Sequence, residues 1–253
     1  MLSLSMASLL LACCLSLFLL HMLSVKLVSL LRWKKLWLIP ASIGTPIHEL
    51  SHAITAIVLG HRVHRVQLFS PQPDGGLGYV EHTHRFGGVV GMITTTLISL
   101  APIAGGLGMV YVITLLLYPS AIEPSFSEAN LSFWGVIASS IEHSKTLWSE
   151  PWGTEEWIWL LLVTSIIAFM APSPADYRNA LPGLAISAAS LVLVAGIFRE
   201  VEYVLMGYAL SAATALTPIL AVVASALIIS IAILLAANAV LTLAFRRQSR
   251  ANN

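Results

Sequence analysis

The sequence predicts an all-α polytopic membrane protein of about six transmembrane helices, within a range of five to seven, plus a β-hairpin at the membrane face. Three observations lead there. Of the 253 residues, 57% are hydrophobic and only 10% charged, whereas soluble domains carry about 25% charged residues. Apolar runs of the ~20 residues that a spanning helix needs recur along the chain. Between the second and third of these runs, residues 60–86 carry β-favouring residues around a turn cluster. The whole chain, 1–253, reads as one integral membrane domain. With a net charge of +1, nothing points to nucleic acid. The basic clusters Arg32-Trp33-Lys34-Lys35 and Arg246-Arg247-Gln248-Ser249-Arg250 read as membrane-edge anchors.

The first apolar segment covers residues 2–23, and its helix can continue to 31. It holds both cysteines, Cys13 and Cys14, which form neither a disulfide framework nor a C-x-x-C site. Leu10-Leu11-Ala12-Cys13 has no basic region before it, and the apolar run continues past it. A retained helix is therefore expected rather than a lipidated cysteine. Segment two, residues 37–59, contains Pro40, Gly44 and Pro46. Thr45 and Pro46 look like an N-cap and first helical residue, so a helix is expected to begin or restart there.

The stretch His61-Arg62-Val63-His64-Arg65-Val66-Gln67-Leu68-Phe69 alternates over part of its length. Pro71-Gln72-Pro73-Asp74-Gly75-Gly76 is a turn cluster, and residues 77–84 can return as a second strand. A hairpin loop over 60–86 follows. Segment three, residues 87–117, has a Gly/Pro-rich middle, Ala101-Pro102-Ile103-Ala104-Gly105-Gly106, which permits close helix contact and a bend or division at Pro102. The polar loop 118–156 holds six glutamates and one lysine. Leu131, Trp134, Ala138 and Ile141 follow helical spacing within it, as in an interfacial helix. Segment four is 157–170 and segment five 181–198. The uncharged stretch 203–245 would be ~65 Å long as one helix, about twice the bilayer core, so it must break, with Thr217-Pro218 the natural place.

The chemistry centres on His48-Glu49-Leu50-Ser51-His52, an H-E-x-x-H inside segment two. Two histidines four apart share one helix face and can hold one Zn²⁺, and the intervening Glu49 can act as base on a water at the metal. Ionisable residues within a bilayer are costly and mark function. A catalytic zinc takes three protein ligands. Asp176 is the candidate third, because Pro172 and Pro174 stop the preceding helix and free a carboxylate to turn towards the metal. The metal set is thus His48, His52 and Asp176, with one zinc per chain, and Glu49 is the catalytic residue. His61, His64, His82 and His84 read first as exposed or interfacial loop residues. The alternative for them is a second metal site or substrate contacts. Neither His21 nor His143 reads as a ligand.

The sequence resembles the site-2 protease family of intramembrane zinc metalloproteases. The resemblance rests on Gly44-Thr45-Pro46-Ile47-His48-Glu49-Leu50-Ser51-His52-Ala53, on the hairpin-like stretch after it, and on residues 166–176 ending Ala171-Pro172-Ser173-Pro174-Ala175-Asp176. It covers residues 37–198 and is to a minimal membrane core, without a recognisable PDZ-like or CBS-like domain. In that family the aspartate motif is typically N-x-x-P-x-P-x-x-D-G. Here the Asn is absent, the second Pro and the Asp are one residue closer, and Tyr177 replaces Gly. The resemblance implies a catalytic core of segments two, three and four, with the hairpin beside the substrate. The expected function is that of a zinc-dependent endopeptidase acting on membrane-spanning or membrane-proximal peptides, as a multi-pass protein of the cell membrane. The alternative is a non-proteolytic membrane protein that uses the same zinc site as a sensor or for partner binding.

Overall fold

The computed structural model describes residues 38–72, 76–84, 86–122 and 151–197, with short pieces at 142, 145–147, 149, 222–223 and 226. The expected first segment (2–23), the interfacial helix around 131–141 and the break at Thr217-Pro218 lie outside the described residues. Those described are mostly helical. In chain order they form α1 (Leu38–Val58), β1 (Arg62–Gln67), β2 (Tyr79–Thr83), α2 (Gly88–Leu117), a 3-10 turn (Pro119–Ile122), α3 (Thr154–Met170) and α4 (Pro174–Ile197). Helices α1, α2 and α3 pack against one another pairwise, and α4 packs on α2.

The buried positions of α1 are Ala41, Gly44, Thr45, Glu49, His52, Ala53 and Ala56. Their spacing of three and four traces one helix face, so H-E-x-x-H sits on the packed side. Small residues bring the backbones together. A Cβ on Gly44 would collide with the Ser165 carbonyl and lie 2.8 Å from the Phe169 side chain, both on α3. A Cβ on Gly105 of α2 would collide with Ser51 Oγ of α1. The Gly-rich middle of α2 thus serves close contact, as its composition implied.

Pro46 lies inside α1 rather than at its start, which corrects the expected N-cap at Thr45. The proline removes only the bond to the Ser42 carbonyl, and packing of Gly44 on α3 holds the turn helical. Pro102 likewise lies inside α2, which runs unbroken for 30 residues and is the one described helix long and apolar enough to cross a membrane unaided. A second correction concerns α4. It begins at Pro174, not near 181, because Ser173 caps it. The amide of Asp176 donates to Ser173 Oγ (3.2 Å), and the amide of Ser173 donates to Asp176 Oδ2 (2.8 Å). This is a reciprocal capping box with Pro174 at the first helical position. Helices α3 and α4 meet at a bend of 60°.

The hairpin forms as expected. β1 and β2 are antiparallel, pairing Arg62 with Thr83 and Gln67 with Tyr79, with an irregularity between Val63 and Arg65. Ser70 and Gln72 amides continue the pairing to the Leu77 and Gly76 carbonyls. Its entry is a helix stop of Schellman type: Gly60 has φ +77°, its amide donates to Ile57 O, and the His61 amide donates to Ala56 O.

The core cluster joins Val110, Tyr118, Trp159, Val163, Ile166 and Met170, with Val222, Val223 and Ala226 from the C-terminal stretch. Its polar members are paired: Trp159 Nε1 donates to Thr114 Oγ1 at 3.0 Å, and that hydroxyl donates to Val110 O at 2.7 Å. Replacing Gly44 by Val is expected to force α1 off α3 and cost about 1–3 kcal/mol or more, as overpacking does. A lowered thermal unfolding midpoint in detergent is the readout, and an unchanged midpoint would refute the close crossing.

Candidate metal centre

The site is assembled from two helix positions far apart in sequence. On α1, His48 donates from Nδ1 to the Phe169 carbonyl of α3, and His52 donates from Nδ1 to the Ile98 carbonyl of α2, both at 2.7 Å. With those N–H groups committed, each neutral imidazole keeps its lone pair on Nε2. The two Nε2 atoms face each other at 3.1 Å. The Asp176 carboxylate closes the triangle, with Oδ2 3.6 Å from His48 Nε2 and Oδ1 3.4 Å from His52 Nε2.

Three electron-pair donors converging in a largely buried place repel one another unless a proton or a metal ion lies between them. Metal bonds of 2.0–2.1 Å in tetrahedral geometry put neighbouring donors about 3.3 Å apart. The observed separations are of that order: 3.1 Å between the two Nε2 atoms, and 3.4 and 3.6 Å from them to the two different oxygens of the Asp176 carboxylate. His48, His52 and Asp176 can therefore hold a metal ion as they stand. Carbonyls behind both histidines fix ring orientation, which is how such ligands are usually aimed.

Asp176 is aimed by its helix start. Its Oδ2 accepts from the Ser173 amide (2.8 Å) and from the Ser173 hydroxyl (2.7 Å), leaving Oδ1 towards His52. The nearby cation plays no part in this, since Arg178 Nε donates to the Pro174 carbonyl instead. The shortened Pro-x-Pro-x-Asp spacing still delivers the carboxylate, because the residue that receives it is the third of a helix and not part of a loop.

Glu49 lies between the two histidines on α1 and is 8% exposed. The hairpin covers it. A Cβ on Gly78 would sit 2.8 Å from Glu49 Cγ and 3.1 Å from Oε1. Gly78 thus lets the hairpin backbone close on the carboxylate, a contact invisible in the sequence. Of the hairpin histidines, His64 is exposed and reaches Thr83 Oγ1. His61 is only 5% exposed, which corrects its reading as an open loop residue. Neither belongs to the His48 site.

The fold and site define a helical protein with a buried two-histidine, one-carboxylate group able to hold a metal ion, and a glutamate covered by a small hairpin. Compared with known proteins, the chain matches no family model, and no curated protein or solved structure matches it significantly.

Substituting Ser173 by Ala removes the cap of α4 and one anchor of Asp176. Stability is expected to fall by about 1 kcal/mol and metal affinity by about 10- to 100-fold. Titrating the metal-free chain in detergent checks this, and unchanged affinity would show that the cap does not aim Asp176.

Proposed function

We propose that the protein is a zinc-dependent endopeptidase working within or at the surface of a membrane, resembling the site-2 protease family in its core. The observation that carries the proposal is the buried carboxylate of Glu49 beside three metal-binding donors whose spacing suits a tetrahedral ion. His48, His52 and Asp176 would hold the zinc, leaving the fourth position open. When bound, zinc would polarise the scissile carbonyl and bring the pKa of the attacking water down towards ~7. Glu49 takes the proton from that water and later passes it to the leaving amine. Among the described residues the hairpin strands pair only with each other, so an extended substrate peptide can add at an outer edge as a further strand. A zinc sensor needs no base over its ion, so the placement of Glu49 favours hydrolysis over the non-proteolytic reading.

A membrane setting is supported by the distribution of polarity. Inside the helical core lie Glu49, His52, Thr114 and Ser165, while Ile54, Ile57, Val58, Val89, Leu116 and Leu193 face outwards. Lipid tolerates such an outer surface and water does not. At 1.5 Å per residue α2 is ~45 Å long, more than the ~30 Å hydrocarbon core, and α1 is ~31 Å long. In this proposal the bent pair α3–α4 is read as one further, broken crossing. With the apolar runs before 38 and after 198, about six spans result in a multi-pass protein whose hairpin rests at one face. The substrate is then a membrane-spanning or membrane-proximal peptide, locally unwound to reach the site.

Replacing Glu49 by Gln is expected to abolish cleavage of a membrane-anchored peptide while zinc content is retained; equal turnover in the variant would sink the general-base role. Replacing Gly78 by Val displaces the carboxylate without touching a ligand. Turnover is expected to drop at least tenfold with zinc stoichiometry unchanged, and a normal rate would mean that the hairpin does not position Glu49.

A further inference from the structure

A second group of imidazoles gathers at the base of the hairpin, apart from His48 and His52. His61 is delivered by the helix stop after α1, and His82 and His84 by β2 and the residue that follows it. Being two apart along extended chain, His82 and His84 project to one face. Ring centroids are 5.1 Å apart for His61–His82, 5.4 Å for His61–His84 and 6.3 Å for His82–His84. Three imidazoles on one tetrahedral ion, at metal–nitrogen bonds of 2.0–2.1 Å, have centroids roughly 5 Å apart. Two of the three distances meet that value. The third involves His84, whose nitrogens do not converge on the other two as it stands; it is exposed and has to swing away from Thr95 to join them.

The hydrogen bonds decide which nitrogens carry lone pairs. Thr94 and Thr95 both donate their hydroxyls to the Gly91 carbonyl, at 3.1 and 2.8 Å. Their oxygens must therefore accept: Thr94 from His61 Nε2–H at 3.0 Å, and Thr95 from His84 Nδ1–H at 3.2 Å. A neutral imidazole with one N–H fixed presents a lone pair on the other nitrogen. His61 Nδ1 and His84 Nε2 are thus prepared as acceptors or ligands. His61 Nδ1 lies 3.1 Å from His82 Nδ1, the same separation as between the facing nitrogens of His48 and His52. In this second pair the far nitrogen of His61 is anchored on Thr94 of α2, while His82 reaches it from β2. Burial and then the adjacent His84 hold His61 below the ordinary histidine value. Burial and then the neighbouring imidazoles do the same for His82.

We propose that His61, His82 and His84 form a second metal site that takes a divalent transition-metal cation of the zinc type and staples the hairpin to α2. The set is all imidazole, which suits zinc, copper and nickel and not magnesium or calcium. A cation here would clamp β2 against the start of α2, where Thr94 already holds His61, on the same hairpin whose Gly78 covers Glu49. The site does not depend on the protease reading.

The test is titration of the chelator-stripped full chain in detergent with Zn²⁺ alone. Two equivalents are expected in wild type and one in His82→Gln. One equivalent should persist in the double variant His48→Gln/His52→Gln. Because His84 is exposed, His84→Gln leaves the fold intact and is expected to weaken one of the two equivalents at least tenfold. A His84→Gln chain that binds both equivalents as wild type does overturns the proposal. So does loss of all binding in a still monodisperse His48→Gln/His52→Gln chain. A single wild-type equivalent that survives the double substitution and disappears in His82→Gln would uphold the hairpin site while removing the one at His48.

Discussion

Everything at the centre of this molecule depends on the convergence of two imidazoles and one carboxylate into a group that can hold a metal ion. His48 and His52 are held from behind by the Phe169 and Ile98 carbonyls, and Asp176 is held by the amide and hydroxyl of Ser173. Each anchor comes from a different place: α3, α2 and the start of α4. The ligand triangle therefore records the relative placement of all four helices. A shift of any one by an ångström would open it, and this gives a physical reason for the small residues at the crossings. Gly44 and Gly105 permit α1 to lie close enough to α3 and α2 for the carbonyls to reach the rings.

Helix α4 shows how one residue can serve stability and chemistry together. Asp176 is the third residue of the helix and completes its capping box, and the same carboxylate faces both histidines. The negative charge is favoured at a helix N-terminus and would be favoured again by a cation held between it and the two histidines. The 60° bend between α3 and α4 turns the carboxylate inwards. Pro172 and Pro174 enforce that bend, one by stopping α3 and the other by starting α4.

Much of this was legible in local sequence. The H-E-x-x-H spacing alone puts His48 and His52 on one face, and the alternation around a Pro/Gly turn gives the hairpin to within a residue or two. Asp176 was found by asking for a third ligand. Its place in a helix was missed, although Ser173-Pro174-Ala175-Asp176 has the form of a capping box, because Pro172 and Pro174 read as breakers and not as a stop followed by a start. Pro46 goes the opposite way: Thr-Pro is a good helix start, but tertiary packing of Gly44 against Ser165 and Phe169 overrides it. No local signal announces that Gly78 closes on Glu49, or that His61 is buried against Thr94. Those contacts join residues about thirty apart and exist only once α1, the hairpin and α2 have packed.

Two histidines of α1 and the distant Asp176 are placed so that they can share one ion. The most direct measurement is zinc per chain in detergent-purified, zinc-reconstituted wild type and Asp176→Ala. The account predicts that the variant loses one equivalent relative to wild type while keeping its unfolding behaviour near normal. Equal zinc in the two proteins would contradict it and leave the histidine pair without its carboxylate.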